Sequence, residues 1–164
     1  MSEPTDPALK RRRSAASRYK PDVVDLLLVA EAPPSSPERY FYFTDVREHD
    51  SLFRYVCRVL LGREPSHDEK HELLEELRGR GVFLIDLKET PVDGTSLALC
   101  IPGLVERCSE LAPRRIVLIK ATVYDAAFGP LKAAGLPVCD ERIPFPGSGR
   151  QREFVAAFRR AIEP

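Results

Sequence analysis

The sequence predicts an α/β domain, a three-layer αβα sandwich around a central, mainly parallel four-stranded sheet. Three observations point there. Short, almost wholly apolar runs recur along the chain. Stretches with apolar residues at helical spacing separate them. The length, 164 residues, suits one domain with a substantial core. A strand that is apolar throughout is buried on both faces, the situation of a parallel sheet covered by helices.

Residues 1–20 are polar and carry Lys10, Arg11, Arg12, Arg13, Arg18 and Lys20. They show no hydrophobic period, so the expectation is a flexible basic tail preceding a domain over 21–164. Val23 to Ala30 is the first apolar run. It carries one charge, Asp25, and stops at Glu31-Ala32-Pro33-Pro34; it reads as a buried strand. Val82–Leu87 and Arg115–Lys120 read the same way. Leu136–Cys139, continuing toward Ile143, is the fourth strand, and Pro137 places it at an edge.

Helices fill the gaps. Leu52, Phe53, Val56, Cys57 and Leu60 recur at helical spacing, as do Leu73, Leu74 and Leu77, and Leu104, Val105, Cys108 and Leu111. Val123, Ala127 and Phe128 form the next, expected to end at Gly129-Pro130; Phe154, Val155, Phe158 and Ile162 form the last. Ser66 with Glu69 is a capping-box pattern opening the second helix.

Composition excludes several classes. Hydrophobic residues make up 43% and charged residues 30%, with zero formal net charge, which argues against attachment to nucleic acid by bulk charge. No apolar run approaches the ~20 residues of a membrane helix, and the N-terminus lacks a signal-peptide core. The expectation is a cytoplasmic protein with no membrane partner. Cys57, Cys100, Cys108 and Cys139 have no C-x-x-C spacing and read as small core residues rather than metal or iron–sulfur ligands. His67 and His71 are four apart, but Asp68 after His67 breaks the H-E-x-x-H arrangement. No metal and no cofactor are expected.

Ligands of open α/β sheets bind outside the strand C-termini. Glu31 leaves the first strand there, and partly dry surroundings would suit it to general-base work. Asp86 ends the next strand and Lys120 the third, where its ammonium would neutralise the carboxylates, bind an anion or reach solvent. Tyr40-Phe41-Tyr42-Phe43 either offers a surface on which a flat ligand stacks or plugs the sheet edge. Pro144-Phe145-Pro146-Gly147-Ser148-Gly149-Arg150-Gln151-Arg152 combines glycines, two arginines and a helix start, which suits a phosphate contact.

Taken in order, these segments resemble the uracil-DNA glycosylase superfamily over about residues 23–162. Leu27–Pro34 resembles the family's first motif, nearest the G-E-A-P-G of its thermostable iron–sulfur branch. Val82–Asp86 falls where the family has a strand ending in a base-reading Asn. Leu104–Arg107 through Pro113 and Ile116–Ile119 match its helix, proline and third strand. Ile143–Ser148 resembles the second motif, of the H-P-S-P or N-P-S-G type.

The resemblance implies a protein of DNA repair. Glu31 would position water and Asp86 would read the base, as the catalytic pair. Ala32, Pro33, Lys120 and Ile143 would border the base, with Phe41 or Phe43 stacked on it. Pro144, Phe145, Gly147, Ser148, Arg150 and Arg152 would meet DNA. The partner implied is DNA carrying a damaged base or a single strand, bound by a monomer.

The departures from the family pattern are informative. Ala30 and Pro34 replace glycines, and the cysteine set of the iron–sulfur branch is missing. Ile143 stands where His or Asn would hold the leaving base, a contact of the kind worth ~2.7–4 kcal/mol. Asp86 replaces Asn; an ionised carboxylate only accepts hydrogen bonds, which disfavours uracil's O4 and suits two adjacent donors such as guanine's N1 and N2. Three functions follow: a glycosylase removing a damaged or deaminated base, a base- or nucleic-acid-binding module without catalysis, or an unrelated small α/β nucleotide-binding or hydrolase domain.

Overall fold

The computed structural model describes residues 6–46, 51–66, 68–145 and 149–163. The chain is mixed α/β. Helix α1 (Pro7–Arg18) precedes β1 (Leu26–Ala30). Next come α2 (Ser51–Val56), which runs into a π-helical turn at Cys57–Leu61, then α3 (Lys70–Gly79) and β2 (Val82–Asp86). A 3-10 turn at Leu97–Cys100 leads into α4 (Ile101–Leu111). β3 (Arg115–Leu118), α5 (Ala121–Ala133) and α6 (Gln151–Ile162) complete the order.

The three strands form an open, wholly parallel sheet in the order β2-β1-β3. Their sequences are the three apolar runs, and Leu27, Leu28, Ile116, Val117 and Leu118 are fully buried. Burial of a Leu or Ile side chain contributes ~1.5–3 kcal/mol, so these short strands are held by their faces. Register sets their C-terminal ends level: Ala30 lies opposite Asp86 and Val29 opposite Leu118.

The fourth strand is not formed as such. The 136–143 segment makes two isolated parallel bridges, Ile116 with Val138 and Ile119 with Ile143. Pro137 lacks an N–H and breaks a continuous ladder, although its carbonyl accepts from Ile116 N–H at 2.9 Å.

Two further expectations are corrected. Residues 7–18 are a helix, not a tail. Asp6 caps it by accepting from Ala8 N–H at 3.0 Å, Pro7 occupies the first turn, and the Lys, Arg and Ala that follow are good helix formers. Its packing is sparse, with Leu9, Arg12 and the following Tyr19 buried, too few for an apolar stripe visible in sequence. Helix α5 runs through Gly129-Pro130 to Ala133. Pro130 forgoes one backbone bond, and Leu131 beyond it is fully buried in the core, which offsets the loss.

Half of the capping pattern before α3 is seen: Glu69 accepts from Ser66 N–H at 3.0 Å, but the helix begins at Lys70 with Glu69 itself at the cap and no side-chain cap bond. Cys57 and Cys108 are buried among apolar side chains and all four cysteines are free thiols. No helix among the described residues is long and apolar enough to cross a membrane.

Candidate functional site

The chain leaves β1 at Ala30, and main-chain bonds then hold its exit. Ala30 C=O accepts from Leu87 N–H at 2.8 Å and Glu31 C=O from Lys88 N–H at 2.9 Å. Val29 C=O accepts from Ile119 N–H at 2.9 Å. Glu31, Asp86 and Lys120 therefore stand side by side at the ends of three adjacent strands. They border one cavity of about 490 Å³, which Ala32, Pro33, Tyr40, Phe41, Leu52, Val92 and Phe145 also line. Its size falls within the ~300–1,000 Å³ usual for small-molecule sites.

Glu31 is paired. Lys120 Nζ lies 2.8 and 3.2 Å from its two carboxylate oxygens, and Thr122 Oγ1 donates at 3.4 Å. The Glu31 side chain is 19% exposed and that of Lys120 35%. Of the roles open to Lys120, neutralising a carboxylate is the one observed. Glu31 is thus in partly dry surroundings, as expected, but meets a cation there. An ionised carboxylate has about four lone-pair sites, so it retains capacity to hold a water.

Lys120 adopts φ 85° and ψ 136°, a region that side chains other than glycine's rarely occupy and that costs on the order of 1–3 kcal/mol. The turn from β3 directly into α5 imposes it. Nothing in the sequence signals this backbone.

Asp86 is 7% exposed and also borders a smaller cavity, about 120 Å³, shared with Arg12, Glu89 and Arg107. Arg107, from α4, donates to the main-chain carbonyls of Asp86 at 2.8 Å and Leu87 at 3.0 Å. Arg12, from α1, is buried and donates to Glu89 C=O at 3.3 Å. Its Nε has no hydrogen-bond partner among the described residues. Arg13 pairs with the Glu89 carboxylate at 3.0 Å.

The aromatic stretch divides between the cavity and the sheet edge. Tyr40 and Phe41 wall the cavity. Tyr42 plugs the sheet edge: its hydroxyl donates to Leu84 C=O and accepts from Leu84 N–H, both at 2.7 Å. Burial holds its phenol well above the usual tyrosine range, so the donor proton stays in place. Phe43 lies elsewhere, under the Arg11 guanidinium at 4.3 Å, so of the two phenylalanines Phe41 is the one at the cavity.

The remaining candidates divide. Phe145 is 42% exposed and stands at the cavity, 5.5 Å from Lys120 Nζ. Ile143 does not line it; its side chain is fully buried against the sheet edge. Pro144 is half-buried away from the lining, and Arg150 and Arg152 are exposed. Pro146, Gly147, Ser148, His49 and His67 lie outside the described residues. His71 bonds the Tyr19 hydroxyl through Nδ1 at 2.7 Å, and no cluster able to hold a metal occurs among the described residues.

Sequence reasoning named Tyr40 only as part of the aromatic stretch, and missed Arg107 and Arg12 behind Asp86, and Lys70. The Lys70 side chain is buried and donates to Tyr40 C=O at 3.0 Å, which fixes the aromatic wall. A charge beside an apolar helical stripe, as Lys70 and Arg107 are, was the signal available. No protein-family model matches the chain, and no curated protein matches it.

Proposed function

We propose that this protein binds a nucleobase extruded from damaged DNA in the cavity at the strand ends and hydrolyses its N-glycosidic bond. The observation that carries the reading is the convergence of Glu31 and Asp86, from two strands, on one cavity walled by Tyr40, Phe41 and Phe145. In the architecture this implies, the 136–143 segment, through its two bridges, takes the place of a fourth, edge strand in an αβα sandwich.

In this reading the base stacks on Phe41 and Asp86 accepts hydrogen bonds from its edge. Glu31, steadied by Lys120, orients water toward the sugar carbon as the base departs with the bonding electrons. Phe145 and the 146–148 segment meet the DNA, with Arg150 and Arg152 on its phosphates. The chain works as a monomer.

A second reading, binding without cleavage, is favoured by two observations. Lys120 already engages Glu31, and Ile143 is packed in the core where a polar group would hold the leaving base.

Single- and double-stranded oligonucleotides carrying a panel of damaged bases, treated with alkali after incubation, test both readings. The expected result is strand scission at one or more of these bases, reduced at least about 100-fold in Glu31→Gln. Measurable DNA binding with no scission on any substrate would replace hydrolysis with the second reading.

A further inference from the structure

The polar groups of the cavity are of two kinds, set on opposite sides of the first strand. Asp86 ends β2 and Lys120 follows β3, with β1 between them. Two strand spacings, roughly 10 Å, separate their backbones. A carboxylate is an acceptor only. Arg107, the buried Arg12 and Glu89 share the small cavity behind Asp86, and the two guanidiniums bond main-chain carbonyls there. The two oxygens of the carboxylate offer about four acceptor sites, enough to take a ligand's donors alongside its protein partners. The ammonium is a donor only, with three N–H groups, of which Glu31 takes two.

Resting on the base-binding reading above, we infer that the base this cavity selects is a purine with guanine's edge. Its adjacent imino and amino donors, N1–H and N2–H, face Asp86. Its O6, beside N1, and its N7, on the adjoining edge of the fused ring, turn toward Lys120 and share its remaining N–H; these are the acceptors through which lysine reads guanine in DNA. Tyr40, Phe41 and Phe145 supply the apolar faces for the ring. Uracil fits poorly: it has one imino donor between two acceptors, so one carbonyl would point at the Asp86 carboxylate. Hypoxanthine keeps N1–H but lacks the amino donor, leaving half of the carboxylate's demand unmet. A modified guanine that keeps its N1 and N2 hydrogens meets the same requirement at Asp86; one protonated at N7, as after oxidation at C8, keeps only O6 for Lys120.

Isothermal titration calorimetry of the full chain with 9-methylguanine, 9-methylhypoxanthine and 1-methyluracil tests this without DNA or catalysis. The expected result is 9-methylguanine bound at least about tenfold tighter than the other two, on the scale of one good polar contact. Asp86→Asn, nearly isosteric, should erase the preference for guanine over hypoxanthine. Lys120→Met should weaken both purines alike and leave their ratio intact. Binding of the bases with no guanine preference, or a preference unchanged in Asp86→Asn, would overturn the inference while leaving the base pocket standing. No binding of any base would overturn the pocket reading, and the inference with it.

Discussion

Replacing Tyr42 by Phe removes one oxygen and disturbs two backbone groups. The Tyr42 hydroxyl closes the outer edge of β2 by satisfying both Leu84 C=O and Leu84 N–H. The other edge of that strand is already paired with β1, and Tyr42 is only 4% exposed. In Tyr42→Phe, carbonyl and amide are left buried together. Each unsatisfied group costs about 1–3 kcal/mol; partial access of water brings the expected total to roughly 2–4 kcal/mol. For a chain of this length 1 kcal/mol moves Tm by about 2–4 °C, so a fall on the order of 10 °C is expected. Urea unfolding should show a lower midpoint with an unchanged slope, the signature of lost stability rather than altered compactness. The ring itself remains, so Phe41 and the cavity wall stay in place at low temperature. A loss below about 0.5 kcal/mol, within the scatter of neutral substitutions, would refute the claim that one phenol closes this edge.

Two more tests concern the fold. Gly81 has φ 76°, and a Cβ there would lie 2.6 Å from Asp25 Oδ2 and 3.0 Å from Asp25 Cβ; Gly81→Ala should cost about 1–3 kcal/mol in thermal unfolding, and an unchanged Tm would contradict the crowding. Burial pushes the Cys57 thiol up to about 12 and the Cys108 thiol to about 11, so neither should react with a disulfide reagent at pH 8 until the protein is unfolded. Because those thiols lose protons near pH 8.5 once unfolded, the stability they contribute is full below that value and is lost as pH climbs toward 11–12; a urea midpoint at pH 10 equal to that at pH 8 would argue against it.

The three strands were legible because burial on both faces forces an unbroken apolar run, a pattern that needs no partner to be recognised. Glu31, Asp86 and Lys120 followed, since each is the first polar residue at or beyond such a run. The rest depended on contacts distant in sequence. Helix α1 escaped notice because a short helix anchored by Leu9, Arg12 and Tyr19 has almost no hydrophobic period. Phe41 and Phe43 could not be separated, as both are aromatic, buried and two residues apart. Only the chain's path decides that one faces the cavity and the other lies beneath Arg11. Arg107 looks like an ordinary solvated residue on an amphipathic helix until its guanidinium is seen across the end of β2.

The backbone at Lys120 has a consequence for how this site can change over time. Its φ of 85° favours glycine, whereas the pairing with Glu31 requires a long cation. Conformation and chemistry therefore pull the position toward different amino acids. Drift to glycine is the easy route structurally, and it would erase the only ammonium among the described residues that line the cavity. With lysine there, the fold carries a standing conformational penalty that lasts as long as the cation does.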